Sequence, residues 1–298
     1  MSQLNRDQID FYETNGYLAI EEAVTPLQLA MLRGISYSLI DRSRPLTVSN
    51  EVYDLDAGHS AEKPRLKRIN LLHLQDRVFM DVLRDSAMTD ILTDLLGADV
   101  ILQRCKLSTQ SPGRDMGVVW HQDWALDPHT NDSVLAFGLL LEDMDEDSGP
   151  LRVVPGSHKG PVLPHTENGA FRGRISADDC KIDQSQTVPL TGKAGTLTVH
   201  HCRTIHGSQT NAAEHSRLVL YYECSAADSW PLAGSKSYFH RLPQHEMWKD
   251  LKLRVVAGKP CVNPRMTHLP VRLPLPPSSE FTPSSKSEAR NPDHSCAA

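Results

Sequence analysis

Two metal-binding residue types stand two positions apart in Trp120-His121-Gln122-Asp123-Trp124. On an extended strand, side chains at i and i+2 leave the same face. The spacing therefore presents the His121 imidazole beside the Asp123 carboxylate. One more histidine would complete a facial set of two histidines and one carboxylate, which holds non-haem Fe(II) and leaves coordination positions open. Alone, His-x-Asp also describes a polar strand end facing water. A second stretch decides between the two.

That stretch is Thr204-Ile205-His206-Gly207-Ser208-Gln209-Thr210-Asn211-Ala212-Ala213-Glu214-His215-Ser216-Arg217, followed by the apolar run Leu218-Val219-Leu220-Tyr221-Tyr222. Gly207, Ser208 and Asn211 are turn formers, and the β-rich sequence on either side predicts a hairpin with its tip at Asn211-Ala212. Such a hairpin sets His206 opposite Arg217 on one face. His206 is then the third ligand. A guanidinium beside it can hold a carboxylate bidentately while the other end of the same molecule reaches the metal. A dicarboxylic 2-oxoacid has that shape. The competing reading of Arg217 is a surface ion pair. His200 and His201 are rival ligands, but they point to opposite faces, so at most one looks inward. Neither has an arginine at hairpin-matched spacing, which favours His206.

Together these residues resemble the phytanoyl-CoA dioxygenase family, a branch of the Fe(II)/2-oxoglutarate oxygenases. Residues 4–18, Leu4-Asn5-Arg6-Asp7-Gln8-Ile9-Asp10-Phe11-Tyr12-Glu13-Thr14-Asn15-Gly16-Tyr17-Leu18, look like that family's N-terminus. Pro155-Gly156-Ser157-His158 resembles one of its recurring turns. The resemblance runs from about residue 4 to about residue 230. It implies a mainly β fold with flanking helices around a double-stranded β-helix (jelly-roll, cupin-like) core. It implies Fe(II) held by His121, Asp123 and His206, with 2-oxoglutarate as cosubstrate and O2 as oxidant. The products would be succinate, CO2 and an oxidised small-molecule substrate. Arg217 would anchor the distal carboxylate, assisted by Ser208. The strand over residues 99–109 lines the cosubstrate pocket in such proteins, which makes Gln103 and Lys106 candidate helpers. Their opposite parity keeps them from both facing inward unless the strand bulges. Related iron halogenases carry a small residue where the carboxylate stands, so Asp123 favours hydroxylation. The resemblance leaves the substrate open. Two other readings stand beside it: a cupin-like metal enzyme that uses no oxoacid, and a catalytically inactive binding module.

The elements that must position these residues can be read in part. Asn5-x-x-Gln8 and Thr25-Pro26-x-Gln28 each have the pattern of a capped helix start. Leu29, Leu32, Ser36 and Leu39 follow at helical spacing. Tyr17-Leu18-Ala19-Ile20 reads as a short strand. Ser86 and Gly97 bracket another helix. The run Val134-Leu135-Ala136-Phe137-Gly138-Leu139-Leu140-Leu141 suits a strand buried on both faces. Residues 195–201 form the strand that delivers His206. The long polar segment 160–190 is a candidate lid over the substrate. Arg65, Lys67 and Arg68 form a small basic cluster, either solvated or in contact with an anionic substrate group. His158 suits a turn histidine bonded to backbone. Trp230 either walls the pocket or covers the core.

Composition sets the outer bounds. With 298 residues and 39% hydrophobic content, the chain supports one large domain. That domain is expected over residues 1–277, with residues 278–298 a disordered proline- and serine-rich tail. A formal net charge of −6 argues against a nucleic-acid or anionic-membrane surface. Six scattered cysteines without a CxxC pair read as reduced thiols. With no basic start followed by an apolar run, and no span-length apolar stretch, a cytoplasmic protein is expected.

Overall fold

The computed structural model describes residues 3–112, 117–232 and 244–271. The expected tail, residues 278–298, lies outside them. In chain order the strands are β1 (Tyr17–Ile20), β2 (Tyr53–Leu55), β3 (Leu66–Ile69), β4 (Val100–Gln110), β5 (Val118–His121), β6 (Val134–Leu140), β7 (Leu151–Val153), β8 (Thr166–Glu167), β9 (Ala170–Phe171), β10 (Val188–Pro189), β11 (Leu197–His201), β12 (His206–Ser208), β13 (Arg217–Ala226) and β14 (Val255–Ala257). The helices are α1 (Arg6–Asn15), α2 (Pro26–Arg42), α3 (Leu72–Gln75), α4 (Val78–Arg84), α5 (Ala87–Leu96), α6 (Asp123–Leu126) and α7 (Gln244–Leu253).

Eight strands form a major sheet in the order β1-β11-β6-β13-β4-β3-β2, with β14 also paired to β4. Four form a minor sheet, β10-β7-β12-β5. Residues from both sheets line one cavity, so the sheets face each other across it. This is the double-stranded β-helix expected from the sequence.

Side-chain alternation sorts the major sheet into two faces. Leu218, Leu220, Tyr222 and Cys224 of β13 join Leu102, Cys105 and Leu107 of β4 and Leu135, Phe137 and Leu139 of β6 in the apolar core. Helical residues Leu32, Leu39, Phe79, Met88, Ile91 and Leu92 close that core from outside. The opposite face carries Lys106, Ala136, His200, Arg217, Tyr221 and Glu223 toward the minor sheet. The main hydrophobic core thus lies between helices and sheet, leaving the space between the sheets for polar chemistry. All seven residues of β6 are buried, as its apolar run predicts.

Both expected capping boxes form, Asn5 with Gln8 and Thr25 with Gln28. Leu32 and Leu39 on α2 are wholly buried. Burying a leucine contributes roughly 1.5–3 kcal/mol, so the pair outweighs the cost of about 1 kcal/mol for Gly34 inside the helix. Ser86 caps α5, and Gly97 ends it at φ 94°. Cys105, Cys202, Cys224 and Cys261 are free thiols, in line with the sequence reading, whereas Cys180 is disulfide-bonded. Among the described residues no helix is long and apolar enough to cross a membrane.

Candidate metal centre and its cavity

The strand that carries His121 stops there. Gln122 is the N-cap of α6 and Asp123 its first residue, so the extended spacing from 121 to 123 does not hold. Gln122 explains the break. It is wholly buried, and its side chain donates to the Pro161 and Arg203 carbonyls at 3.2 and 2.8 Å. Its Oε1 accepts from the Leu163 N–H at 2.8 Å, and its own N–H donates to His165 Nε2 at 3.0 Å. Trp124, buried behind it, donates its N–H to the Cys202 carbonyl at 2.9 Å. These bonds turn the chain, yet the turn keeps Asp123 beside His121.

His206 and His121 are direct antiparallel partners across β12 and β5, and their ring centroids lie 4.1 Å apart. Each imidazole donates its Nδ1–H to a carbonyl two residues back, His121 to Val119 at 2.8 Å and His206 to Thr204 at 2.9 Å. That fixes both tautomers with the Nε2 lone pair free for a metal. The His121 and His206 Nε2 atoms stand 3.6 and 3.8 Å from the Asp123 carboxylate oxygens. Ligand atoms about 2.0–2.2 Å from one ion stand at most roughly 4.4 Å apart, so the three residues fit a single ion. They are the metal-capable cluster found among the described residues.

Charge states agree with that use. Burial holds His206 well below the ordinary histidine range, reinforced by His121 and His200. It is therefore neutral, as a ligand must be. Asp123 is held well below the usual carboxylate range despite its burial, so it is ionised, as a ligand must be.

The expected hairpin is replaced by something else. His206 lies in the minor sheet, paired with β5 and β7, while Arg217 opens β13 in the major sheet opposite Gln110 of β4. Residues 209–216 cross between sheets and do not turn within one. Buried Asn211 pins the crossing by donating to the Gln110 and His215 carbonyls at 3.0 and 2.8 Å. Arg217 still reaches the same cavity as His206, from the facing sheet. It is buried, and one of its Nη groups donates to the Gly149 carbonyl.

Of the other expected site residues, Lys106 lines the cavity, with Nζ 2.7 Å from Glu223 and 5.6 Å from the Tyr221 ring centroid. Gln103 is an extra residue in β4, since Glu223 pairs with Arg104 but Cys224 with Leu102. This bulge turns Gln103 toward a small void shared with Asp123, Asp127 and Glu223, where its amide donates to Ser225 at 2.8 Å. The Ser208 hydroxyl accepts from the Val118 N–H at 3.0 Å and bolts β12 to β5. It is not part of the cavity wall.

His200 is the inward-facing rival. Its Nε2 lies 3.3 Å from Asp123 Oδ2, and its ring 4.4 Å from that of His206. Among the described residues its Nδ1 has no carbonyl partner. Unlike His121 and His206, it has no backbone acceptor that would turn an Nε2 lone pair toward a shared ion, and it serves as a donor to Asp123. His201 faces the other way, near His158. His158 donates to the Glu13 carbonyl at 3.2 Å, the backbone role expected of it.

Residues 160–190 do not border the cavity. They pack behind the metal strand, where Val162, Leu163, Pro164, His165 and Phe171 face Trp124 across a separate apolar hollow. That position removes the basis for a lid over the metal. Trp230 covers a small core with Ile101, Ala227 and Leu251 and donates its indole N–H to the Cys261 carbonyl at 2.9 Å. Sequence reasoning passed over Tyr221 and Glu223. Both share the parity of Arg217 on β13, so period-two alternation from Arg217 points to them.

A double-stranded β-helix presenting two histidines and a carboxylate around one point defines a mononuclear non-haem iron oxygenase. Residues 12–219 match the phytanoyl-CoA dioxygenase (PhyH) family, and the chain belongs to it. It is 33% identical over 269 residues to a probable alpha-ketoglutarate-dependent hypophosphite dioxygenase of Stutzerimonas stutzeri, covering 89% of this chain and 90% of that one. It is 24% identical to an ectoine dioxygenase of Bordetella parapertussis, over 73% of this chain and 74% of the other. The carbocyclase SnoK from nogalamycin biosynthesis, a non-heme alpha ketoglutarate dependent enzyme, superposes with a TM-score of 0.67 at 19% identity, covering 81% of this chain and 92% of its own. The protein is an Fe(II)- and 2-oxoglutarate-dependent dioxygenase.

Proposed function

We propose that His121, Asp123 and His206 hold the iron, that Arg217 holds the distal carboxylate of 2-oxoglutarate, and that a small molecule is oxidised in the cavity between the sheets. The observation that carries this reading is the convergence of His121 and His206, their Nδ1 atoms pinned to backbone, on Asp123 in a cavity that buried Arg217 also lines. When bound, iron and 2-oxoglutarate supply the oxidising power from O2, leaving succinate and CO2. The chain supplies position. The backbone carbonyls of Val119 and Thr204 orient the ligands, Arg217 sets the reach of the cosubstrate, and Tyr221 and Ala136 wall the reacting space. Lys106 flanks the cosubstrate, while Gln103, turned into the separate void and bonded to Ser225, does not reach it, and Ser208 braces the ligand strand.

The cavity measures about 290 Å³, at the lower edge of the roughly 300–1,000 Å³ of ligand pockets. Cosubstrate and substrate must share it, which favours a small substrate over an acyl-CoA. Hypophosphite, named for the 33% identical relative, is the first compound to test. Anaerobic protein with Fe(II) should gain a visible charge-transfer band on adding 2-oxoglutarate. A protein that binds Fe(II) but gains no band would fall to the cupin-like reading.

A further inference from the structure

We propose that the substrate is a small monoanion held by Lys67, with Arg68 beside it. This deepens the proposed function and rests on it.

Among the described residues the cavity wall carries four cations, Lys67, Arg68, Lys106 and Arg217, and two carboxylates, Asp123 and Glu223. Most of this charge is already matched. Lys106 sits 2.7 Å from Glu223. Arg104, 3.2 Å from the same carboxylate, also pairs with Asp127, so two cations face two carboxylates there. Arg68 is matched by Asp54 at 3.0 Å. The charges of Fe(II) and the 2-oxoglutarate dianion cancel, and so do those of Asp123 and Arg217. One charge remains. Among the described residues Lys67 makes no ion pair.

The backbone brings Lys67 to the cavity by a specific device. Asp54 of β2 pairs with Arg68 of β3, but Leu55 pairs with Leu66. Lys67 is thus the extra residue of a bulge. Regular alternation would send one of Lys67 and Arg68 inward and the other out. The bulge re-aims the pair, and both line the cavity. A lysine serving only solubility would have no need of this. With cosubstrate bound, the half-buried ammonium on a wall of low dielectric attracts one negative charge. The cavity of about 290 Å³ limits how large its carrier can be.

The test uses anaerobic full-length protein loaded with Fe(II) and 2-oxoglutarate, reading perturbation of the charge-transfer band. Hypophosphite, acetate and benzoate are titrated in, with acetamide and benzamide as uncharged shape mimics. At least one anion should perturb the band saturably where the amides do not. Lys67→Met should raise its half-saturating concentration by about tenfold or more, the scale of one hydrogen bond to a charged group. Lys67→Arg should stay within a few-fold of wild type. Equal response to acid and amide overturns the proposal. So does an anion response that Lys67→Met leaves unchanged, or a loaded enzyme that ignores all three anions. Failure of the wild type to form the band at all is distinct: it overturns the proposed function, and this proposal with it.

Discussion

His200 Nε2 lies 3.3 Å from Asp123 Oδ2, so a residue of the major sheet steadies a carboxylate borne next to the minor one. The contact helps hold the Asp123 carboxylate in place beside His121 and His206. Removing the donor in His200→Phe is expected to weaken Fe(II) binding or turnover by about 10- to 100-fold, the range for partners that orient ligands. The apparent constant for 2-oxoglutarate should move little. His200→Gln, which can still donate, should recover part of the loss. Fe(II) titration of the three proteins checks this, and wild-type affinity in His200→Phe would remove the assignment.

The proposed ligands themselves allow a sharper outcome. His121→Ala and Asp123→Ala are each expected to abolish stoichiometric Fe(II) binding and turnover while the far-ultraviolet spectrum stays that of the wild type. Neither side chain belongs to the apolar core, which lies on the other face of the major sheet. Full activity in His121→Ala would exclude it from the metal.

Acidity should loosen the packing behind the metal strand. Burial holds His165 down at about 4, and geometry agrees, since its Nε2 accepts from the Gln122 N–H while its Nδ1–H donates to the Leu163 carbonyl at 2.8 Å. Burial also brings His73 down to about 4. In the unfolded chain a histidine takes up its proton near 6.5. Between those values the unfolded state binds more protons, so stability falls as pH drops from about 6.5 toward about 4. The melting temperature of the metal-free protein should decline through that window. In His165→Gln, which can accept the Gln122 bond without titrating, the decline should be shallower. Identical slopes would show that His165 contributes nothing.

The sequence was most legible where a pattern is local. Both capping boxes and the buried run of β6 follow from spacing alone. What it hid was long-range. Nothing near Asn211 signals that residues 209–216 leave one sheet for another, because turn formers look alike in a hairpin and in a crossing. His206 and Arg217 therefore meet across a cavity instead of across a hairpin. The break at Gln122 depends on partners at Pro161, Leu163, His165 and Arg203, which no local window contains. The bulge at Gln103 is set by pairing with β13, so parity along β4 gave only a condition. Residues 160–190 carry the composition of a lid, yet their hydrogen bonds run to the back of the site.

Arg217 offers the clearest separation of cosubstrate binding from metal binding. It is buried, reaches the cavity from the facing sheet and is steadied by the Gly149 carbonyl. If it meets the distal carboxylate of 2-oxoglutarate, Arg217→Ala removes a charge-assisted bidentate contact and strands that carboxylate in a partly dry pocket. Truncating one partner of such a pair costs about 2–5 kcal/mol, roughly 30- to several-thousand-fold in affinity. The loss should appear as a raised apparent constant for 2-oxoglutarate, with Fe(II) affinity little changed because His121, Asp123 and His206 remain. Arg217→Lys should recover only part, since an ammonium cannot reproduce the planar fork and must also replace the bond to Gly149. A purely structural arginine gives the opposite pattern, with a lowered melting temperature and an unaltered 2-oxoglutarate dependence. Succinate formation measured against 2-oxoglutarate concentration in wild type and both variants decides, and an unchanged curve in Arg217→Ala would take the cosubstrate away from this residue.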